Sequence, residues 1–266
     1  GDDAAAEQSA TFGTTQAYLD APLAVDVPAA TTLQLLGFWQ TPQDSAATAS
    51  LAKTGPGTLL IAGEFGANVP VTLAEGTLRV AGSVNVTDLN DGATTPDWVV
   101  EGGATLAFAT ASTGAQDFGN GSLTFRTGST LDAGANAITI RGQTAFEDGA
   151  VVALGEGVRL GSLTFGSNVS VNGSVTVSLD AVDPDALDTL VAGGTYPLIT
   201  FAEGARTGTG VFLLGGDSLV ELSQRGWSLR DDGEVVSLVA FGNGSYYTWA
   251  GTDADAGAGN WGNAAW

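Results

Sequence analysis

Gly121-Ser-Leu-Thr-Phe-Arg-Thr-Gly-Ser-Thr-Leu131 decides the fold. Two glycines, seven residues apart, each stand just ahead of small polar residues and an aliphatic. Between them Leu123 and Phe125 alternate with Ser122, Thr124 and Arg126, which is the period of a strand with one face buried. Glycine at the corners permits the positive φ of a tight turn. The stretch therefore reads as strand, corner, strand.

The same signal recurs on both sides: Gly57-Thr-Leu59, Gly76-Thr-Leu78, Gly103-Ala-Thr-Leu106, Gly161-Ser-Leu163 and Gly173-Ser-Val175. Short alternating strands go with it, among them Leu78-Arg-Val80, Ile138-Thr-Ile140 and Leu163-Thr-Phe165. Short strands stacked around glycine corners predict an all-β parallel β-helix, or solenoid, over residues 17–193. The spacing between signals is irregular, so a sandwich of many short strands stays open as an alternative.

Further out the pattern changes. Residues 1–16 are small and polar and read as an N-terminal arm. Asp183-Pro184 begins the one plausible helical turn or two, over 183–192, with Asp183 as N-cap. Residues 194–245 carry longer strands, Tyr196–Phe201 and Val235–Phe241 among them, with Asp231-Asp-Gly233 as a hairpin turn. They predict an antiparallel end module that caps the solenoid. Residues 246–266 form a tail that holds three of the six tryptophans, Trp249, Trp261 and Trp266, on a Gly/Ala/Asp background. With Tyr247 they are the candidate assembly residues, because indoles of that area need a surface to bury against and the tail has none of its own.

Composition narrows the function. The 266 residues carry eight basic and 29 acidic side chains, a net charge of −21. Nucleic acid and anionic membrane surfaces, which need clustered Lys and Arg, are poor partners for such a chain. No apolar run is long enough to span a bilayer as a helix. Cys, His and Met are absent. There is thus no thiolate chemistry and no histidine general base, and we expect no enzymatic activity. A chain that begins at Gly1 without methionine is expected to be a processed, secreted one, with a fragment as the alternative, and the expected compartment is extracellular.

Asp253-Ala-Asp255-Ala-Gly257 resembles the start of a calcium loop, so Asp253 and Asp255 are candidate calcium ligands, although the later bidentate glutamate is missing. A plain turn is the rival reading. Asp88-Leu-Asn90-Asp91-Gly92 is a weaker case of the same kind. Trp39 and Trp98 are candidates for a sugar-stacking platform, against the more common role of a tryptophan packed into a core.

Three pieces together resemble the autotransporter-associated β-strand repeat proteins, a group of bacterial surface passengers. Leu51-Ala-Lys53-Thr-Gly55-Pro-Gly57-Thr-Leu59-Leu-Ile-Ala-Gly63 is similar to their Leu-x-Lys-x-Gly-x-Gly-Thr-Leu signature. Gly194–Phe201, with Trp227-Ser-Leu and Val236-Ser-Leu-Val239, is similar to their closing hairpins. The tail, Trp249-Ala-Gly251 to Trp266, resembles the tryptophan-rich opening of a following unit. The resemblance implies a secreted β-solenoid without implying an activity. The chain departs from the pattern in having no tryptophan opening ahead of Lys53. The expected function is a structural subunit of an extracellular fibre or matrix on a bacterial surface, a head-to-tail homopolymer joined through the tail. The alternatives are an adhesin or glycan-binding passenger and a carbohydrate-active β-helix enzyme.

Overall fold

The structure is a computed structural model that describes residues 8–12, 17–18, 21–35, 39–40, 49–66, 69–86, 97–109, 114–187, 190, 194–216, 222–223 and 226–240. The chain winds as a parallel β-solenoid whose strands alternate between two sheets. The first sheet has nine strands, stacked in the order β1 (Gln8–Phe12), β4 (Thr31–Leu35), β7 (Thr58–Ile61), β9 (Gly76–Val80), β11 (Ala104–Phe108), β13 (Thr130–Gly134), β15 (Val151–Leu154), β18 (Ser174–Ser178) and β21 (Val211–Gly215). All of its pairings are parallel.

The second sheet has twelve strands. Its parallel path runs β3 (Pro22–Asp26), β6 (Ser50–Thr54), β8 (Val71–Leu73), β10 (Trp98–Val100), β12 (Gly114–Phe125), β14 (Ala137–Phe146), β16 (Ser162–Phe165) and β19 (Thr195–Phe201). β17 (Val169–Val171) and β20 (Arg206–Thr207) branch from β14, while β2 (Ala17–Tyr18) and β5 (Trp39–Gln40) make a small third sheet. β22 (Trp227–Asp231) and β23 (Val235–Ala240) close the second sheet as an antiparallel hairpin on β19.

Period two explains the core. In the first sheet one column of paired residues reads Leu33, Leu59, Leu78, Leu106, Leu131, Val152, Val177 and Leu214. Its interior members, from Leu59 to Val177, are all fully buried. In a parallel stack with constant register, each coil sets its aliphatic on that of the coil beneath, so burial is shared by nearest neighbours. Aromatics extend the ladder in the second sheet. Phe125 stacks on Phe146 with centroids 5.0 Å apart, and Phe165 stacks on Phe201 at 5.6 Å. Outside the core, acidic side chains tie neighbouring coils: Asp97 accepts from Ser122 Oγ at 2.7 Å, and Asp148 accepts from Ser174 N at 2.7 Å.

The corners need glycine for two reasons. Gly76 sits at φ 68°, in the left-handed region. Gly57 has an ordinary φ, but a Cβ there would lie 2.1 Å from the Pro28 carbonyl oxygen, so the coils approach too closely for any side chain.

The expected solenoid is what forms, and the alternative of a sandwich falls away. Two expectations about organisation change. Residues 8–12, read as part of an arm, form β1 and pair in parallel with β4. A ladder uses backbone groups that every residue owns, so a small, polar stretch can take part. The end module begins later than residue 194: β19, β20 and β21 still pair in parallel with the body, and only β22 and β23 run antiparallel. The helical turn is real but short, Pro184–Leu187, and Asp183 accepts from Asp185 N at 3.0 Å as an N-cap does. The hairpin turn falls where expected: Gly233 has φ 93°, and Asp232 Oδ1 accepts from Val235 N at 2.7 Å.

Candidate functional site

The two ends of the stack differ, and their difference defines the candidate site. At the N-terminal end β3 is the last strand of the second sheet, and among the described residues no strand pairs with its outer edge. Its inward residues Leu23 and Val25 are only half-buried, as are Leu33 and Leu35 of β4. One coil further in, Leu51, Leu59 and Ile61 are at most 1% exposed. The core is therefore incompletely covered where the solenoid begins.

Lys53 lies directly behind this end. It occupies the column Val25, Lys53, Leu73, Val100, Phe125, which puts a lysine on the core face of β6. It is fully buried. Its ammonium donates to three backbone carbonyls: Gly55 at 2.6 Å, Thr54 at 2.9 Å and Glu75 at 3.0 Å. Gly55 and Glu75 belong to the corners of successive coils, so one side chain staples two turns. Burial pulls the Lys53 amine below its usual range, while the charges of Glu75 and Asp26 work against that shift.

The C-terminal end carries the antiparallel hairpin, while Leu214 of β21 is half-buried there. Trp227 and Leu238 of the hairpin are buried, and Trp227 packs against Tyr196 at 6.0 Å. Arg206 and Asp231 lock the hairpin to the last parallel coil through two bonds, Nη1–Oδ1 at 2.5 Å and Nη2–Oδ2 at 2.8 Å. The guanidinium lies over both the Phe201 and Phe212 rings, 5.3 and 5.2 Å from their centroids, and the two rings touch each other at 5.9 Å. Asp231 also accepts from Phe212 N at 3.2 Å, and Arg206 donates to Gly210 O at 2.8 Å. The pair thus occupies backbone groups at the start of β21, the terminal strand of the first sheet, which is how an exposed edge is blocked against further pairing. Burial pushes the Asp231 carboxyl up, but the hydrogen bonds from Arg206, Phe212 N and Gly233 N outweigh it and hold the group below the ordinary carboxylate range.

The residues singled out in the sequence fare unequally. Tyr247, Trp249, Trp261, Trp266, Asp253 and Asp255 lie outside the described residues, as does the 88–92 turn. Trp39 falls in β5. Trp98 is fully buried, wedged edge-on between Phe65 at 4.9 Å and Phe118 at 5.0 Å, so it packs the core and does not form a sugar platform with Trp39. Among the described residues no three His, Cys, Asp or Glu side chains are grouped to hold a metal ion. No helix there is long and apolar enough to cross a membrane.

Sequence reasoning missed Arg206 and Asp231, which stand 25 positions apart and meet only through the fold. It noted Lys53 without placing it inside, although its alternation with Leu51 put it on the core face. No protein-family model matches the chain, and no curated protein sequence matches it.

Proposed function

We propose that this chain is a structural subunit of an extracellular surface fibre or matrix, joined head to tail by its C-terminal tail. One observation carries the reading: the second sheet finishes in an antiparallel hairpin at the C-terminal end of the solenoid and, among the described residues, in the unpaired parallel strand β3 with half-buried Leu23 and Val25 at the other. A donor and an acceptor at opposite ends make a heterologous contact, and such a contact grows a filament when its rotation does not close. The tail follows the hairpin in sequence and carries three indoles in need of a surface. The acidic, cysteine-free composition and the resemblance to autotransporter-associated repeat passengers support a bacterial surface as the setting.

Electron microscopy and sedimentation of the purified chain test this. Filaments are expected from residues 1–266, and folded, monodisperse monomers from residues 1–245. Monomers from the full chain overturn the reading, as do fibres from the truncated one.

A further inference from the structure

We propose that the outer edge of β3 is the acceptor strand and that the tail of a second copy of this chain occupies it. The inference rests on the head-to-tail reading above and adds to it a site and a partner.

Backbone chemistry comes first. Val27 N donates inward to Thr54 O at 3.0 Å. Along a strand, successive residues turn their N–H and C=O groups to opposite sides. Leu23 and Val25 therefore face β6, and Ala24 and Asp26 aim their N–H and C=O groups outward, away from the sheet. An extended segment laid along β3 gains a ladder there, the usual form of strand addition.

Side chains add specificity. A strand placed outside β3 stacks its inward residues on Leu23 and Val25. Leu23 heads the column Leu23, Leu51, Val71, Trp98. Three steps along that column the fold already holds an indole on its core face, between Phe65 and Phe118. A tryptophan is thus a residue this wall accommodates, and the tail supplies three.

Reach selects a second copy for the stretch around Trp249, the first indole of the tail. β23 and β3 are eight ladder steps apart in the second sheet, about 38 Å at the usual spacing between strands. Trp249 follows Ala240 by nine residues, which span at most about 31 Å when fully extended. Trp249 of the same chain falls short of β3, whereas Trp261 and Trp266, further along the tail, do not, so the proposed occupant is the Trp249 stretch of a neighbour. A neighbour whose C-terminal end abuts this face has no such distance to cross.

The absence of cysteine makes the test clean. One tagged copy carries Ala24→Cys, and a second, differently tagged, carries a single cysteine in place of Thr248, Ala250 or Thr252. Mild oxidation of the mixture is expected to yield disulfide-linked pairs joining the two tags. A chain carrying both cysteines supplies the control: closure within single chains, with no mixed pairs, assigns the face to the chain's own tail and overturns the proposal. Ala24→Pro removes an outward N–H and leaves the inward ladder intact. It is expected to abolish sedimentable polymer without lowering the strand content seen by circular dichroism. Fibres that persist in Ala24→Pro, with no mixed disulfide at any tail position, overturn the acceptor strand while the head-to-tail reading survives. A full chain that never polymerises overturns both.

Discussion

Lys53 and Arg206 sit near opposite ends of the same solenoid, and each brings a positive charge into its wall. Their neighbours differ. Lys53 is fully buried and donates to three neutral carbonyls. Arg206 is 13% exposed, faces a carboxylate through two bonds and lies over two adjoining phenylalanine rings. A compact ammonium suits converging carbonyl dipoles, whereas a planar guanidinium suits a carboxylate fork and aromatic faces. The first arrangement joins like to like, one parallel coil to the next. The second joins parallel body to antiparallel cap, where the ladder changes direction and backbone groups at the start of β21 need partners. A repeating stack can be held by dipoles the backbone already supplies. Its termination calls for an ion pair made for the place.

Removing Asp231 should break the comparison most forcefully. Asp231→Ala leaves Arg206 charged and nearly enclosed without its counter-ion, and strips acceptors from Phe212 N and Gly233 N. A loss of about 3–5 kcal/mol is expected, measured by denaturant unfolding. Arg206→Met with Asp231→Asn removes both charges, so the double variant should be more stable than Asp231→Ala. A double variant as unstable as the single one shows that the charge pair is not what locks the cap.

Lys53→Met comes next. It keeps volume and removes a buried charge, but it leaves the Gly55, Thr54 and Glu75 carbonyls without their donor. The expected cost is about 1–3 kcal/mol, less than for Asp231→Ala because the lost desolvation penalty is returned. Hydrogen exchange should localise the loosening to the coils around residues 50–76. Uniform loosening along the stack contradicts the staple.

Alternation and corner glycines made the body legible, since both are local: Leu78-Arg-Val80 and Leu163-Thr-Phe165 bury the residues their period assigns. The turn at 231–233 was legible for the same reason. What escaped depends on distance in sequence. Arg206 and Asp231 show no shared pattern, and residue class masks the position of Lys53, because a charged side chain is read as outward even at an inward step. The strand at Gln8–Phe12 escaped because pairing is a backbone property that a polar composition does not reveal. Trp98 was visible as a residue but not as a core member, its two ring partners lying 33 and 20 positions away.

Acid sharpens the contrast further. The folded Asp231 carboxyl titrates below its ordinary 3.8. Its stabilisation is fully present above that value and drains as pH falls through the depressed one. The gap in melting temperature between the unaltered chain and Asp231→Asn should therefore be constant near neutrality and close progressively below pH 3.8. A gap that persists at the lowest pH assigns the effect to packing.

Alkali gives the smallest effect, and its sign is opposite in origin. The folded Lys53 amine releases its proton below the 10.5 of an exposed lysine. In the interval between the two values the unfolded chain binds more protons than the folded one, so stability rises with pH there. Below that interval the charge is present in both states and its burial is a constant cost. The attraction of Glu75 and Asp26 opposes the shift. Relative to Lys53→Met, the unaltered chain should gain slightly in melting temperature as pH climbs toward 10.5. A difference that falls over that range means the folded state holds the ammonium more tightly than water does, and the three carbonyls then act as a true cation site and not as a tolerated burial.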